Sequence, residues 1–225
     1  RNLERVRVEG LPRGTACAAL LADGAVLPPG SRKITTRWHP VWPIPEVEAS
    51  PGRMTYSIYN ARPDPFTNSP VVSCMPWLDS SAHPGDAQPA ALCRKVVRAT
   101  LDPDGSMGLA APVDATAVPW EERWTYTRDG QPASHDGPRT DVADLTFWRY
   151  HTTTTADARA GDLAEVRNAI GHGTRFLRWT ATGELASFSD PNQIRTDLTY
   201  NTRGRLVLRT DAAGTDAAWQ CGSDC

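Results

Sequence analysis

Two cysteines, Cys74 and Cys93, are the residues of this sequence whose positions most directly predict a chemical bond. They flank a stretch, Met75 to Leu92, that is rich in Pro, Ala, Asp and Ser, so a disulfide there closes a long loop at its base. In an oxidising compartment such a bond contributes roughly 3 kcal/mol by constraining the unfolded chain. Two buried thiols are the alternative. A zinc site is disfavoured because neither cysteine has a Cys-x-x-Cys neighbour or a close histidine. The sequence leaves the pairing of Cys17, Cys221 and Cys225 open.

The other residues that could do chemistry form no recognisable catalytic or metal-binding pattern. No two histidines stand at metal-ligand spacing; they are His39, His83, His135, His151 and His172. Asp102-x-Asp104-Gly105 resembles the start of a calcium loop but lacks the later ligands, so it predicts a plain turn. Gly-x-Ser-x-Gly, His-Glu-x-x-His and phosphate-binding glycine loops are absent from the sequence. We therefore predict no catalytic, cofactor-binding or metal-binding residues, no cofactor and no enzyme.

The sequence contains 8 tryptophans, on which a sugar-binding protein could stack rings. Four of them, Trp38, Trp124, Trp148 and Trp179, lie on or beside predicted strands, where aromatic side chains pack across a sheet. This placement favours a structural role over sugar binding.

The elements that position these residues follow from a pattern that occurs twice between Thr174 and Gly214. Trp179, Gly183, Leu185 and Asp190 recur 21 residues later as Tyr200, Gly204, Leu206 and Asp211. A fixed period of this length is typical of repeat proteins. Each unit reads as a strand ending in an aromatic, a glycine turn and a second strand. The sequence thus predicts successive β-hairpins.

The same unit can be followed upstream. Trp38 and Tyr59 are also 21 residues apart, with Ile44 in the place of Leu185 and Trp42 in the place of the turn glycine. We predict that one aromatic occupies the same position in each unit, namely Trp38, Tyr59, Trp124 or Tyr126, Tyr150, Trp179 and Tyr200. The strands are predicted at 3–9, 34–38, 54–60, 93–100, 122–126, 131–136, 145–150, 161–168, 174–179, 184–188, 196–200 and 205–209. We expect helix in under about a tenth of the residues.

The phrase Tyr-Asn-x-x-Gly-Arg-Leu at 200–206, with Asp-Pro-Asn at 190–192, resembles the YD repeat of RHS-repeat proteins, the large bacterial toxin-carrier shells. The segments 35–40, 137–144 and 161–163 are similar to phrases that recur in those proteins. The resemblance covers most of the chain and is strongest from about Arg123 onward. It implies an antiparallel sheet of stacked hairpins that curls into a hollow shell around a toxin cargo. The aspartyl self-cleavage signature of toxin-releasing members has no match in this sequence.

Composition narrows the possible partners. The chain has 225 residues with 19 Pro and 17 Gly, which favours many short strands and turns. A formal net charge of −2, without a Lys or Arg run, disfavours nucleic acid as a partner. The sequence has no apolar run of 18 residues, so no membrane span is predicted. Because repeats reach both ends and the first residue is Arg, we expect the chain to be a piece of a longer protein.

The repeat pattern divides the chain into five predicted segments. An N-terminal strand and loop (1–32) lead into a degenerate repeat (33–60), and an insertion follows that contains the Cys74–Cys93 loop (61–119). Further repeats (120–214) and a tail (215–225) complete the chain. The irregular segment Ala61 to Leu92 interrupts the repeats, as a functional loop, a disordered loop or an insertion does, and we interpret it as an insertion.

Taken with the resemblance, these features predict a non-catalytic structural segment of an RHS-repeat protein that helps to enclose and deliver a toxin. Its partners would be neighbouring repeats and the cargo, and its location secreted or at the cell surface. The alternative is an adhesin or carbohydrate-binding module, formed by the insertion Ala61 to Leu92 and the surplus tryptophans. A surface glycan would then be the partner.

Overall fold

The computed structural model describes residues 3–67, 69, 71–77, 90–211 and, for the backbone alone, 218–220. Over this part of the chain the helices are two three-residue 3₁₀ turns, Ala18–Leu20 and Gly108–Ala110. All other regular elements in the described residues are β-strands. The all-β prediction is therefore confirmed. Apolar residues that alternate with a period of two line one face of a strand, whereas in a helix they would spread around all sides.

The chain forms two compact units, and the first comprises 1–130 with 137–139. Its strands are β1 (Glu4–Glu9), β2 (Arg32–Trp38), β3 (Pro45–Ser50), β4 (Arg53–Tyr59), β5 (Leu92–Ala99) and β6 (Trp120–Tyr126). Each strand pairs antiparallel with the next one along the chain. The unit is therefore a row of hairpins in sequence order.

The second unit comprises 131–136 with 140–225. Its strands are β7 (Pro132–Asp136), β8 (Leu145–Tyr150), β9 (Leu163–Asn168), β10 (Gly173–Trp179), β11 (Leu185–Ser189), β12 (Arg195–Tyr200), β13 (Leu206–Asp211) and β14 (Ala218–Gln220). Again each strand pairs antiparallel with its successor. Stacked antiparallel hairpins, as predicted, are thus found in both units.

The twelve predicted strands are all present, with ends within two residues of the prediction. Strands β3 and β14 were not predicted. Strand β3 lies between Pro43 and Pro51 and begins with Pro45, so its composition indicated a bend. Proline is nevertheless tolerated at the first residue of a strand, where a missing N–H costs no ladder hydrogen bond.

The interpretation of Ile44 as the counterpart of Leu185 is wrong by one residue. Trp38 pairs with Pro45, whereas Trp179 pairs with Leu185. The His39 N–H bonds the Ile44 carbonyl, so the first turn closes one residue later than the turn after Trp179. Two prolines within this turn account for the extra residue, because their fixed φ angles do not fit the tight glycine turn.

In the first unit, loops cover one face of the sheet. Ala49, Met54 and Ala111 form a buried cluster, in which Ala111 belongs to the loop that follows β5. Lys33 is fully buried, and its ammonium group donates to the carbonyls of Ala22 and Ser106 at 2.8 and 3.1 Å. One side chain of β2 therefore anchors two loops.

The irregular segment that begins at Ala61 lies within a hairpin, because the strands before and after it, β4 and β5, pair from Arg53↔Ala99 to Tyr59↔Leu92. The residues between Tyr59 and Leu92 therefore occupy the place of a turn, as residues 201–205 do between Tyr200 and Leu206. The five-segment division of the chain stays a prediction.

Candidate functional site: contacts between successive hairpins

The first strands of five hairpins end in the same way. An aromatic residue pairs with the first residue of the second strand, and a β-bulge directly precedes the aromatic. The five pairs are Trp38↔Pro45, Tyr59↔Leu92, Tyr150↔Leu163, Trp179↔Leu185 and Tyr200↔Leu206. A bulge breaks the strict alternation of side chains and redirects the next one. This repeated geometry confirms that these aromatics are equivalent.

Four aromatics at the ends of first strands bond the preceding hairpin. The Tyr59 hydroxyl donates to the Pro45 carbonyl at 2.9 Å, and that of Tyr200 to the Leu185 carbonyl at 2.8 Å. The two others are Tyr126 Oη to Leu92 O at 2.8 Å and Trp179 Nε1 to Leu163 O at 3.1 Å. In every case the acceptor is the residue that pairs with the aromatic of the hairpin before. We call these bonds the aromatic links.

The environment of the linking tyrosines keeps them able to donate. Burial raises the pKa of Tyr59, Tyr126 and Tyr200 above the ordinary value for a phenol. Their hydroxyl groups therefore stay protonated at neutral and mildly alkaline pH. Of the alternatives Trp124 and Tyr126, the structure assigns the repeat position to Tyr126.

The turns that follow the aromatics also share a pattern. In five hairpins the residue after the aromatic donates its N–H to the carbonyl just before the paired residue, as Asn201 does to Arg205 at 2.9 Å. The two turns that the sequence pattern matched have Gly183 and Gly204 at φ angles of 95° and 73°. Glycine adopts these angles without the steric cost that a side chain adds. The predicted equivalence of the two glycines is confirmed.

Loss of one aromatic link should cost measurable stability. We expect Tyr126→Phe to lower the free energy of unfolding by about 1 kcal/mol, because the ring stays packed while the Leu92 carbonyl loses its donor. Urea unfolding followed by tryptophan fluorescence measures this change. Tyr56→Phe is the matched control, since the Tyr56 hydroxyl contacts the Met54 sulfur, a weak acceptor. An equal loss in both variants would contradict the role of the link.

His39 caps the turn between β2 and β3. Its Nδ1 accepts hydrogen bonds from the backbone N–H groups of Val41 and Trp42, both at 3.2 Å. Burial lowers the pKa of the His39 imidazole, with the attraction of Glu46 opposing this shift and Arg62 adding to it. A protonated Nδ1 could not accept either bond. The native turn therefore requires neutral His39.

Acidification should consequently weaken this turn. Because the folded pKa of His39 lies below the unfolded value of about 6.5, its contribution is complete above that pH and declines as the pH falls below it. We expect His39→Asn to lose less stability than the wild type between pH 7.5 and pH 5.5, since an Asn side-chain oxygen accepts the same bonds without titrating. Urea midpoints at the two pH values measure the difference. Identical pH dependence in both proteins would contradict this prediction.

The segment after β4 folds back onto the sheet through a buried ion-pair network. Arg94 of β5 contacts the Asp64 carboxylate at 2.5 Å and the Glu121 carboxylate at 2.6 and 2.8 Å. The Phe66 ring lies under the guanidinium groups of Arg94 and Arg98, at 5.4 and 5.9 Å from the ring centroid. The Asp64 side chain is only 4% exposed. These contacts fix residues 64–66 against β5 and β6.

A disulfide secures the other end of the same segment. Cys74 and Cys93 are bonded, with their Cα atoms 5.4 Å apart. Together with Met75 they form a buried cluster against which Trp77 and Tyr126 pack. The disulfide prediction is therefore confirmed. Residues 78–89 of the loop lie outside the described residues, and so does His83.

The remaining residues that the sequence singled out take structural positions. Asp102 accepts from the Ser106 hydroxyl and the Met107 N–H, and Asp104 accepts from the Ser106 N–H, so the Asp-x-Asp-Gly motif forms a turn. Burial raises the pKa of Asp102. His151 Nε2 lies 3.4 Å from the Phe176 carbonyl. In the part of the chain that the structure describes, no group of three His, Cys, Asp or Glu side chains could hold a metal ion.

The tryptophans divide between strands and turns. Trp38, Trp124, Trp148 and Trp179 lie on β2, β6, β8 and β10, as predicted. The Trp120 ring, at the start of β6, stacks with the Lys95 ammonium group at 4.9 Å. Trp42 lies in the first turn and is 38% exposed.

Sequence reasoning missed the acceptors of the aromatic links, because a backbone carbonyl carries no sequence signal.

Comparison with known proteins identifies the repeat. Residues 179–216 match the family model described as RHS Repeat. No curated protein matches the chain. Two solved structures that resemble it are the crystal structure of TcdB2-TccC3-TEV (TM-score 0.49) and the Photorhabdus luminescens Tc holotoxin pore with a substituted TccC3 (TM-score 0.41). Each is 10% identical, and the match covers 80% of this chain but only 8% and 10% of theirs.

The matched segment contains β11, β12 and β13 with the aromatic link of Tyr200. The class of protein is therefore all-β and built of repeated hairpins. Residues 179–216 of this chain thus form an RHS repeat, in the segment where the YD-type phrase at 200–206 predicted one. Among the helices in the described residues, none has the length and apolar character needed to cross a membrane.

Proposed function

We propose that this chain is a non-catalytic segment of the wall of an RHS-repeat shell that encloses and delivers a toxin cargo. The aromatic links are the observation that carries the proposal. Each of the four links ties the end of the first strand of one hairpin to the start of the second strand in the hairpin before it, so each linked repeat completes the packing of its neighbour. Such nearest-neighbour contacts suit a continuous wall built by adding units.

The use of the polar groups supports a structural role. Asp64, Asp102 and Asp104 each accept hydrogen bonds from nearby backbone N–H groups. The Lys33 ammonium group donates its hydrogen bonds to loop carbonyls. Groups held in this way bind the fold together and are poorly placed to bind a reacting substrate. The neighbouring repeats of the same polypeptide and the toxin cargo are the proposed partners.

The disulfide supports a location outside the reducing cytoplasm, since such bonds persist in oxidising environments. We infer that the protein is bacterial and is secreted or displayed at the cell surface.

A second candidate is the adhesin or carbohydrate-binding module. The observation in its favour is an open cleft of about 400 Å³ whose lining includes Trp38, Trp42 and Pro43. The insertion adds less than expected, because Phe66 stacks on arginines and Trp77 packs on the disulfide cluster. Binding on a glycan array that Trp42→Ala abolishes would favour this function.

Protection of the cargo tests the primary proposal. The natural polypeptide that contains this chain is purified and treated with a protease, and the survival of its toxic segment is followed by mass spectrometry. We expect the toxic segment to resist cleavage in the native protein and to be digested once urea opens the wall. Digestion of the segment in the native protein at the rate of the isolated segment would overturn the proposal.

A further inference from the structure

One face of strands β8–β12 in the second unit carries a group of arginines. Arg149, Arg175 and Arg195 lie in a single cross-strand row, connected through Glu165 and Ser189 by direct pairing. Directly opposed residues of a sheet project to the same side. These three arginines, which come from alternate strands, therefore share one face.

Two more arginines lie on this face. Arg167 pairs with Phe147, which lies two residues before Arg149 on β8 and therefore on the same face. The Arg167 guanidinium stacks on the Phe147 ring, 5.7 Å from the ring centroid. Arg178 is opposite Ser187, two residues before Ser189. We call the surface formed by Arg149, Arg167, Arg175, Arg178 and Arg195 the arginine face.

The arginine face is positively charged although the chain as a whole is not. Glu165 lies 3.8 Å from both Arg149 and Arg175, Asp197 contacts Arg178 and Arg195 at 3.8 and 2.8 Å, and the charge of Asp157 also acts on Arg195. Five arginines against these three acids leave a local surplus of two positive charges, on a chain of formal net charge −2. Four of the side chains are 48–71% exposed. Their guanidinium groups are thus accessible to a partner.

The first unit shows what covers the corresponding face there. In each repeat, the residue just before the repeat aromatic lies on this face of the sheet. In the second unit that residue is Arg149, before Tyr150. In the first unit it is Ile58, before Tyr59, and Ile58 pairs with Arg94. Arg94 therefore stands on the equivalent face of its own unit. There it receives the Asp64 carboxylate and the Phe66 ring from a single short segment.

We propose that the arginine face is a docking surface for a partner protein, and that the docking segment is a peptide in which acidic residues alternate with aromatic ones. Guanidinium groups bind carboxylates and also stack on aromatic rings, and Asp64 and Phe66 make these two kinds of contact with Arg94 in this chain. Because Asp64 and Phe66 of one peptide segment already cover Arg94, a peptide is favoured over nucleic acid as the occupant. The proposal concerns the second unit alone and does not require that the shell enclose a toxin.

A labelled ten-residue peptide of alternating Glu and Tyr is the probe, and its binding to the full 225-residue chain is measured by fluorescence anisotropy. We expect saturable binding that weakens with added salt. Arg175→Gln with Arg195→Gln should lower the affinity about tenfold. Arg149 and Arg178 still accompany Glu165 and Asp197 in this variant, so the fold should be retained, which circular dichroism verifies.

The matched control is Arg203→Gln with Arg209→Gln, which removes the same charge elsewhere in the unit. Arg209 pairs with Leu198, the neighbour of Asp197, and so lies on the opposite face, while Arg203 lies in a turn. This variant should bind the peptide as the wild type does. An equal loss in both variants, or no saturable binding of the peptide, would overturn the proposal. Equally tight binding of a ten-nucleotide DNA strand, lost in the same variant, would replace it with general polyanion binding.

Discussion

Replacing Arg94 with methionine is expected to lower the free energy of unfolding by about 3–5 kcal/mol at neutral pH. Methionine fills a similar volume, but it leaves the Asp64 and Glu121 carboxylates without their shared cation. Asp64 is almost fully buried, and an uncompensated charge there is costly. Loss of the stacking on Phe66 adds to the effect. Urea unfolding at pH 7 measures the change.

Arg195→Met is the matched control for this experiment. Arg195 also pairs with a carboxylate, that of Asp197 at 2.8 Å, but its side chain is 51% exposed and its ion pair is solvated. Exposed pairs typically contribute less than about 1 kcal/mol. A comparable loss in both variants would show that burial of the Arg94 network is unimportant for stability.

The pH dependence of the Arg94 variant provides a second check. Burial opposes ionisation of Asp64, but the Phe66 N–H and the Arg94 guanidinium outweigh it and hold the pKa of this carboxyl below its usual range. The stability from this interaction is therefore complete above the unfolded pKa of about 3.9 and is lost as the pH falls through the folded pKa. The difference between wild type and Arg94→Met should shrink below about pH 4.

The second large effect is expected from removing the disulfide. Cys74→Ser with Cys93→Ser should lower the free energy of unfolding by about 3 kcal/mol, because the bond closes a loop with a sequence separation of 19 residues. Two hydroxyl groups would also replace sulfurs within the cluster that includes Met75. The melting temperature of the wild type should fall on adding a reductant, and that of the double variant should not change.

Cys17→Ser is the control for the disulfide variant. Cys17 is exposed and unbonded, so this substitution should leave the melting temperature unchanged in both redox states. A wild-type melting temperature that reductant does not alter would contradict a stabilising bond. The inference of an oxidising location would then rest on the resemblance to RHS-repeat proteins alone.

The local pattern of the sequence predicted the strands because each one is short and lies between turn residues. Leu145–Tyr150 was placed with both ends correct, since an alternating apolar segment with Trp148 and Tyr150 has no competing helical interpretation. Strand β3 was missed because Pro45 and its neighbouring prolines signal a bend, and only pairing with Arg37 and Tyr56 on either side makes Val47 extended. Neighbouring strands outweighed local propensity there.

Sequence reasoning found the aromatic donors of the candidate site but not their acceptors. The 21-residue interval located Trp179 and Tyr200, because side-chain identity repeats with the unit. The acceptors Leu163 and Leu185 could not be found in that way, since any residue supplies a carbonyl and the β-bulge that aims the ring is a property of the pairing.

By itself the sequence determined the hairpin repeat, the aromatic at the end of each first strand and the closure of the Cys74–Cys93 loop, all of which depend on residues close in sequence or on a single strong covalent pairing. Only the tertiary structure decided which groups those aromatics bond, how Arg94 gathers Asp64 and Glu121, and that arginines from alternate strands share a face. Such contacts join residues 14–34 positions apart through the register of a sheet. A shift of one residue in that register would turn every side chain to the opposite face.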